Sequence, residues 1–345
     1  MLAVKQTTTG LPIGFSACPA TMTDLTEVAE MINTCAHIMI GKPESDEIEI
    51  KNEWEKPGFD QTNSTRVVRA PDGQVVGYTE VWDLADPPVQ PWVWGRVHPD
   101  FEGLGIGSFL LDWAENRVKQ AVPRVPDGAQ VAMRCGTFSG YEPAKVLFED
   151  RDMTLTRHFW RMAIELDRPI PEPVWPDNIQ VITFADKTDL TAVYHTIEDA
   201  FKDHWGFVAT KNESEEINRW RHFIENDKAH DSTLWFLAMS GDEIVGLSLC
   251  RQYITEDKGM GFVDELGVRR PWRRQGVALA LLHHTFRVFQ ERGQKRVGLG
   301  VDAASLTSAT RLYEKAGMQV TRQFDAYEKV IRPGVDLSTQ ALESK

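Results

Sequence analysis

VDELGVRRPWRRQGVALALL, residues 263–282, runs from strand to basic loop to helix without a break. Up to Val268 the residues are extended and apolar, with Asp264 and Glu265 as the two acids. Residues 269–275 then deliver Gly276 to a helix whose Ala278, Leu281, Leu282, Phe286 and Phe289 share one face at helical spacing. A strand that feeds a glycine-bearing loop into a helix aims several free backbone N–H groups, and the positive end of the helix dipole, at one point. That point suits a phosphate. A Walker A loop is excluded because no Gly-Lys-Ser/Thr follows, and a dinucleotide fingerprint would need two further glycines in register.

The spacing Arg273-x-x-Gly276-x-Ala278 resembles the acyl-CoA loop of the GNAT acyltransferase superfamily. Residues 309–318, ATRLYEKAGM, extend the resemblance, since members of that family carry A-x-x-L-Y-x-x-x-G-(F/M) on a helix one strand further on. Residues 296–301 supply the intervening strand, and Ala309, Leu312, Tyr313, Gly317 and Met318 fall at the matching positions. Leu306 stands where the family often has Asn, so a cap would have to come from Ser305 or Thr307.

The loop stretch is written twice. Val97 and Val268 lie 171 residues apart, and the same offset sets Glu102 against Arg273, Gly105 against Gly276 and Gly107 against Ala278. LFEDRDM at 147–153 repeats 312–318 at an offset of 165, with Phe148 in the place of Tyr313. Two blocks in the same order about half a chain apart imply a duplicated unit. The fold expected is therefore α/β, with two tandem GNAT-type domains, each a mixed, mostly antiparallel twisted sheet with helices on both faces. The expected division is 1–167, a proline-rich linker at 168–177 and 178–345. Prolines 169, 171, 173 and 176 favour an extended connector there, and the residues from Arg332 onward read as a frayed tail.

The copies differ where chemistry is demanding. In the first, Glu102 opens the loop and Phe148 has no proton to donate, so that copy is expected to be a scaffold or a weak CoA binder. In the second, the resemblance implies acetyl-CoA or another acyl-CoA as co-substrate. Leu266 and Val268 would offer backbone groups to the pantetheine arm, and Arg273, Arg274, Gln275, Gly276, Val277 and Ala278 would receive the diphosphate. Either Arg273 or Arg274 would add charge. Tyr313 would be the acid for the leaving thiolate, its ordinary pKa of about 10 standing roughly 1.5 units above that of a thiol. Asp264 and Glu265 are the candidate bases. Strand alternation sends them to opposite faces and pairs Asp264 with Leu266 and Val268, unless a bulge breaks the parity. The segment 201–210, with Asp203, His204 and Trp205, lies where such folds build acceptor specificity.

Composition bounds the rest. A chain of 345 residues, 42% apolar, suits two cores. The net charge of −13 argues against nucleic acid and anionic membranes as partners and is compatible with a cationic small-molecule amine. No run reaches membrane-span length and residues 1–12 carry no signal core, which points to the cytoplasm. Cys18, Cys35, Cys135 and Cys250 lack C-x-x-C or zinc spacing and read as buried thiols, with no metal site. The function expected is an acyl-CoA-dependent N-acetyltransferase acting on a primary amine. A non-catalytic acyl-CoA sensor, or an acetyltransferase of protein N-termini or lysines, would carry the same two motifs.

Overall fold

The computed structural model describes residues 10–187 and 189–340; the reading of the first nine residues lies outside them. By contacts the chain forms two compact units. The first holds β1 (Ser16–Cys18), α1 (Leu25–Ile40), α2 (Glu47–Trp54), α3 (Gln61–Ser64), β2 (Thr65–Arg69), β3 (Val75–Trp82), β4 (Trp92–Val97), α4 (Ile106–Lys119), β5 (Val131–Phe138) and α5 (Glu142–Glu149). The second holds most of β6 (Thr154–Glu165), then β7 (Gln180–Thr183), α6 (Leu190–Phe201), most of α7 (Glu213–Asn226), β8 (His230–Ser240), β9 (Glu243–Arg251), β10 (Met260–Val268), α8 (Val277–Glu291), β11 (Arg296–Asp302) and α9 (Ala309–Lys315). The final strand, β12 (Gln319–Arg332), is a single long strand.

Each unit is a mixed, mostly antiparallel sheet. In the first the order is β1-β2-β3-β4-β5-β12, and in the second β12-β6-β11-β10-β9-β8-β7. The parallel contacts are β4 with β5 and β10 with β11. Helices cover both faces, as the patterning predicts. In the second unit Leu281, Phe286 and Phe289 of α8 pack on Phe236, Val263, Val297 and Leu299, while Val193 and Ile197 of α6 pack on Trp235, Leu237 and Leu249 from the opposite side. The first unit repeats this with α4 on Val68 and Val76, and α1 and α2 on Val67 and Tyr78.

The division differs from the expected one. It falls at 156/157, and the proline-rich stretch lies wholly inside the second unit. That stretch is held: Ile170 is buried, and the Gln290 side-chain amide donates to the carbonyls of Leu166 and Arg168 at 2.9 and 2.7 Å. Residues 325–337 belong to the first unit and residues 157–165 to the second, so each copy takes its last strand from the far side of the sequence boundary. β6 covers β11 along seven residue pairs, from Arg296 with Glu165 to Asp302 with Phe159. The tail is docked as well. Gln130 N donates to Val335 O at 2.8 Å, and Gly206 N donates to Thr339 O at 2.8 Å. Of the four thiols, Cys18 is exposed and the other three are buried. Among the described residues no helix is long and apolar enough to cross a membrane.

Candidate active site

The parallel pairing of β10 with β11 covers Met260–Val263 and Arg296–Leu299 and ends there. Beyond it the strands part, and a cavity of about 300 Å³ opens between residues 264–266 and 299–302. A cleft at the carboxyl ends of parting parallel strands is a common ligand position in α/β sheets.

Both acids line this cavity, and the register of β10 on β9 sets how each is placed. Val263 pairs with Cys250 and Glu265 with Leu249, so Asp264 is an extra residue, a β-bulge. The bulge breaks the parity expected from simple alternation. Glu265 joins the face of Leu249 and Phe262, while Leu266, opposite Ser248, turns to the other face. Asp264 is committed to a salt bridge: Nε of Arg251 lies 3.0 Å from both of its oxygens. Burial pushes Asp264 up from the usual carboxylate range, and Arg251 opposes that rise. Glu265 has no such cation. Burial, followed by the charge of Asp264, pushes its pKa up to about 8. Tyr313 lines the same cavity on α9 and is 7% exposed. Burial and then the charge of Glu265 push its hydroxyl well above the ordinary tyrosine value, so it holds its proton. The α9 start is helped by Ser305, whose Oγ accepts from Ala309 N at 3.4 Å.

The loop delivers the free amides that its pattern promises. Arg269 N donates to Val245 O, and Trp272 N to Arg269 O, each at 2.9 Å. Arg274 then takes φ +62° and Gly276 φ +94°, turning the chain into α8. For Arg274 that left-handed backbone costs of order 1 kcal/mol or more. Among the described residues the amides of Arg274, Gln275 and Gly276 have no protein acceptor. Those of Val277 and Ala278 belong to the first helical turn, whose N–H groups have no partner within the helix. Residues 274–278 thus fit a diphosphate through backbone groups.

Two of the loop side chains do not. The Arg273 guanidinium, expected to add charge for the diphosphate, is spent on the fold. Its Nε donates to Val268 O at 3.0 Å, Nη1 to Asp203 at 2.6 Å and Nη2 to Ala200 O at 2.9 Å. Gln275 Nε2 donates back to Pro271 O at 3.0 Å. Arg274 remains exposed. Asp203, expected to serve the acceptor, is instead the clamp for Arg270 and Arg273, which hold its carboxyl below the usual range. Its neighbours do reach the cavity: His204 and Trp205 line it, with His204 shifted downward by burial. α6 can close on β10 here because residue 267 is glycine; a Cβ there would stand 2.9 Å from that of Ala200.

The first unit repeats the loop but not the chemistry. Gly103 at φ +73° and Gly105 at φ +85° match Arg274 and Gly276, and a cavity of about 380 Å³ lies beside them. β4 pairs with β3 without a bulge. Counting back from the loop, Trp94 stands where Glu265 does, and Phe148 where Tyr313 does. Glu102, in the place of Arg273, accepts from the Tyr141 hydroxyl. Among the described residues no group of three or more His, Cys, Asp or Glu is arranged for a metal ion.

A glycine loop at a helix start, written twice, with parting parallel strands and a tyrosine helix beside the second, marks a tandem acyltransferase fold. The chain belongs to the Acetyltransferase (GNAT) family, whose model matches residues 25–128 and 191–318. It is an acyl-CoA-dependent N-acetyltransferase. Mycothiol acetyltransferase of Thermobispora bispora is 28% identical over 254 residues, spanning 71% of this chain and 77% of that one. The protein of the same name from Streptomyces bingchenggensis is 28% identical, spanning 72% and 75%. Among solved structures, a GCN5-related N-acetyltransferase from Sphaerobacter thermophilus has 36% identity and a TM-score of 0.77, covering 96% of this chain and 100% of its own. A tandem GNAT protein from the clavulanic acid biosynthesis pathway, at 14% identity, has a TM-score of 0.65 and shares the fold, covering 93% of this chain and 99% of its own.

Proposed function

We propose that the second unit transfers an acetyl group from acetyl-CoA to the primary amine of a small molecule, and that the first unit is a scaffold or weak CoA binder. The supporting observation is the meeting of Glu265 and Tyr313 on one cavity beside the amide-lined loop, against Trp94 and Phe148 in the first copy. The amides of residues 274–278 hold the diphosphate, and the backbone of Leu266 and Val268 guides the pantetheine arm. Glu265 takes a proton from the acceptor ammonium, which frees the nitrogen lone pair to form the N–C bond. As the C–S bond breaks, Tyr313 gives its proton to the sulfur and recovers one from the acylated nitrogen. Glu265 releases its proton to water. Asp264 and Arg251 form a fixed ion pair whose negative member helps keep Glu265 basic.

A cavity of about 300 Å³ and the relatives named for mycothiol support a small acceptor over a protein chain. The test is free-thiol release from acetyl-CoA across a panel of amines, run beside calorimetric titration of acetyl-CoA. Tyr313→Phe is expected to lower turnover roughly a hundredfold and leave acetyl-CoA affinity unchanged. Full turnover in that variant would overturn the assignment, and the absence of thiol release from any amine in the wild type would favour a sensor.

A further inference from the structure

The acceptor end of the second unit's cavity holds a cation that the transfer chemistry does not use. Arg161, on β6, lines the cavity together with Glu265. Its guanidinium lies near two rings, 4.9 Å from the centroid of Phe262 and 5.9 Å from that of Phe324. Its polar contact is long, Nη1 to Glu256 Oε1 at 3.5 Å, while Arg322 holds the other oxygen of the same carboxylate at 2.7 Å. A guanidinium carries five N–H donors in a rigid fork, so most of the bonding capacity of the half-buried Arg161 is unspent by the protein. Opposite it on β11 stands Gly300, where an added Cβ would meet no atom within 4 Å. That leaves room for a ligand against the fork.

A cation beside two aromatic rings, lining an open cavity and only weakly matched by its own carboxylate, is built to receive an oxyanion. The overall charge of −13 makes this local arrangement the more telling, since the surrounding protein does not attract anions. We propose that Arg161 anchors an oxyanion carried by the acceptor, so that the acetylated amine belongs to an amino carboxylate or an amino phosphate. Phe262 and Phe324 hold the fork in plane, and the acceptor lies with its acidic end on Arg161 and its amine toward Glu265. Arg161 is on this view a specificity residue, and the inference rests on the assignment of chemistry to the second unit.

The experiment compares matched primary amines of one carbon skeleton ending in a carboxylate, a phosphonate, a carboxamide or an alcohol, followed by thiol release. The wild type is expected to favour one of the anionic acceptors over its neutral partners by roughly ten- to a hundredfold in kcat/KM. The anion giving the larger ratio identifies the source of the oxyanion. Arg161→Gln is expected to raise KM for the anionic acceptors by a similar factor while turnover of neutral amines stays as in the wild type, and Arg161→Lys is expected to recover part of the loss. Acetyl-CoA affinity, unchanged in both variants, would confirm that they fold. Equal wild-type use of charged and neutral acceptors overturns the proposal whatever the variants do, as does an Arg161→Gln loss shared equally by both classes. Turnover of neutral amines alone, sensitive to Tyr313→Phe, would sink the anchor and keep the enzyme. Thiol release that ignores Tyr313→Phe would sink the catalytic reading itself.

Discussion

Glu265 faces Leu249 across the sheet, although simple alternation from the Val263–Cys250 pair would have put Asp264 there. Glu265 lines the cavity with Tyr313, and the inserted Asp264, which lines it too, is paired with Arg251. Glu265→Gln is therefore expected to lower kcat/KM by about 10²- to 10⁴-fold, and Asp264→Asn by much less. Glu265 holds its proton until the pH rises through about 8, so the base form, and with it kcat/KM, should climb about tenfold per pH unit below that value and level off above it. A pH profile of Glu265→Gln should lack this limb. Stability moves the opposite way: a folded pKa above the unfolded one gives a contribution that is full below roughly pH 4.3 and lost as pH rises through about 8. The variant's advantage in Tm over the wild type should thus be larger at pH 9 than at pH 5, by roughly 5 °C.

Arg273 works through Asp203, which is only 4% exposed, and through the carbonyls of Val268 and Ala200. Arg273→Ala leaves the buried carboxylate with Arg270 alone. It should cost about 2–3 kcal/mol of stability, toward the lower end of what breaking a buried pair costs. The loop backbone would lose its tether, and acetyl-CoA should bind roughly tenfold more weakly by calorimetry. Lysine cannot bridge three acceptors as the planar fork does, so Arg273→Lys should recover little. The Asp203 carboxyl is held low by Arg270 and Arg273, so the stability it adds is present above its unfolded pKa and lost as pH falls through its folded one. Unaltered CoA affinity and Tm in Arg273→Ala would show that the clamp does not shape the loop.

What could be read from sequence is what local chain chemistry decides. The strand, loop and helix around Gly276 and the Tyr313 helix are set by residues within a few positions of one another, and they appear as expected, as does the duplication that repeats them. The placement of Asp264 and Glu265 was not legible, because a bulge is a statement about register on β9 and leaves no mark in β10 itself. The role of Arg273 hinges on Asp203, seventy positions earlier, and a guanidinium at that place reads equally as a phosphate ligand. Arg161 was missed for a related reason. Its strand precedes the second copy in the sequence and gives no local sign of which unit it completes.

Phe148 invites an obvious repair of the first copy, and that repair should fail. In that unit the strand beside the loop has no bulge, and Trp94 occupies the place of Glu265. Phe148→Tyr would supply an acid with no carboxylate at the position of Glu265 to accept the amine's proton. The double variant Tyr313→Phe with Phe148→Tyr should turn over no faster than Tyr313→Phe alone. A rise of tenfold or more in thiol release would show that the first unit is nearer to catalysis than its residues suggest.

The exchange of last strands makes the proline-rich stretch a poor place to cut. A fragment of residues 168–345 contains both motifs of the second copy, yet it lacks residues 157–165, which belong to that unit and cover β11 along seven pairs. It would expose the backbone edge of β11 and uncover the core against which Met162, fully buried in the intact protein, packs. Such a fragment should aggregate or show no cooperative thermal transition, and it should release no thiol. Co-expression with residues 1–167 returns the missing strand without restoring the covalent link, so activity and a single unfolding transition should reappear in the co-purified pair. A soluble 168–345 fragment with wild-type kcat/KM would mean that β6 contributes neither to the cohesion of the second unit nor to its site. The placement of Trp160 and Arg161 on that strand, lining the same cavity as Glu265 and Tyr313, argues for the opposite result.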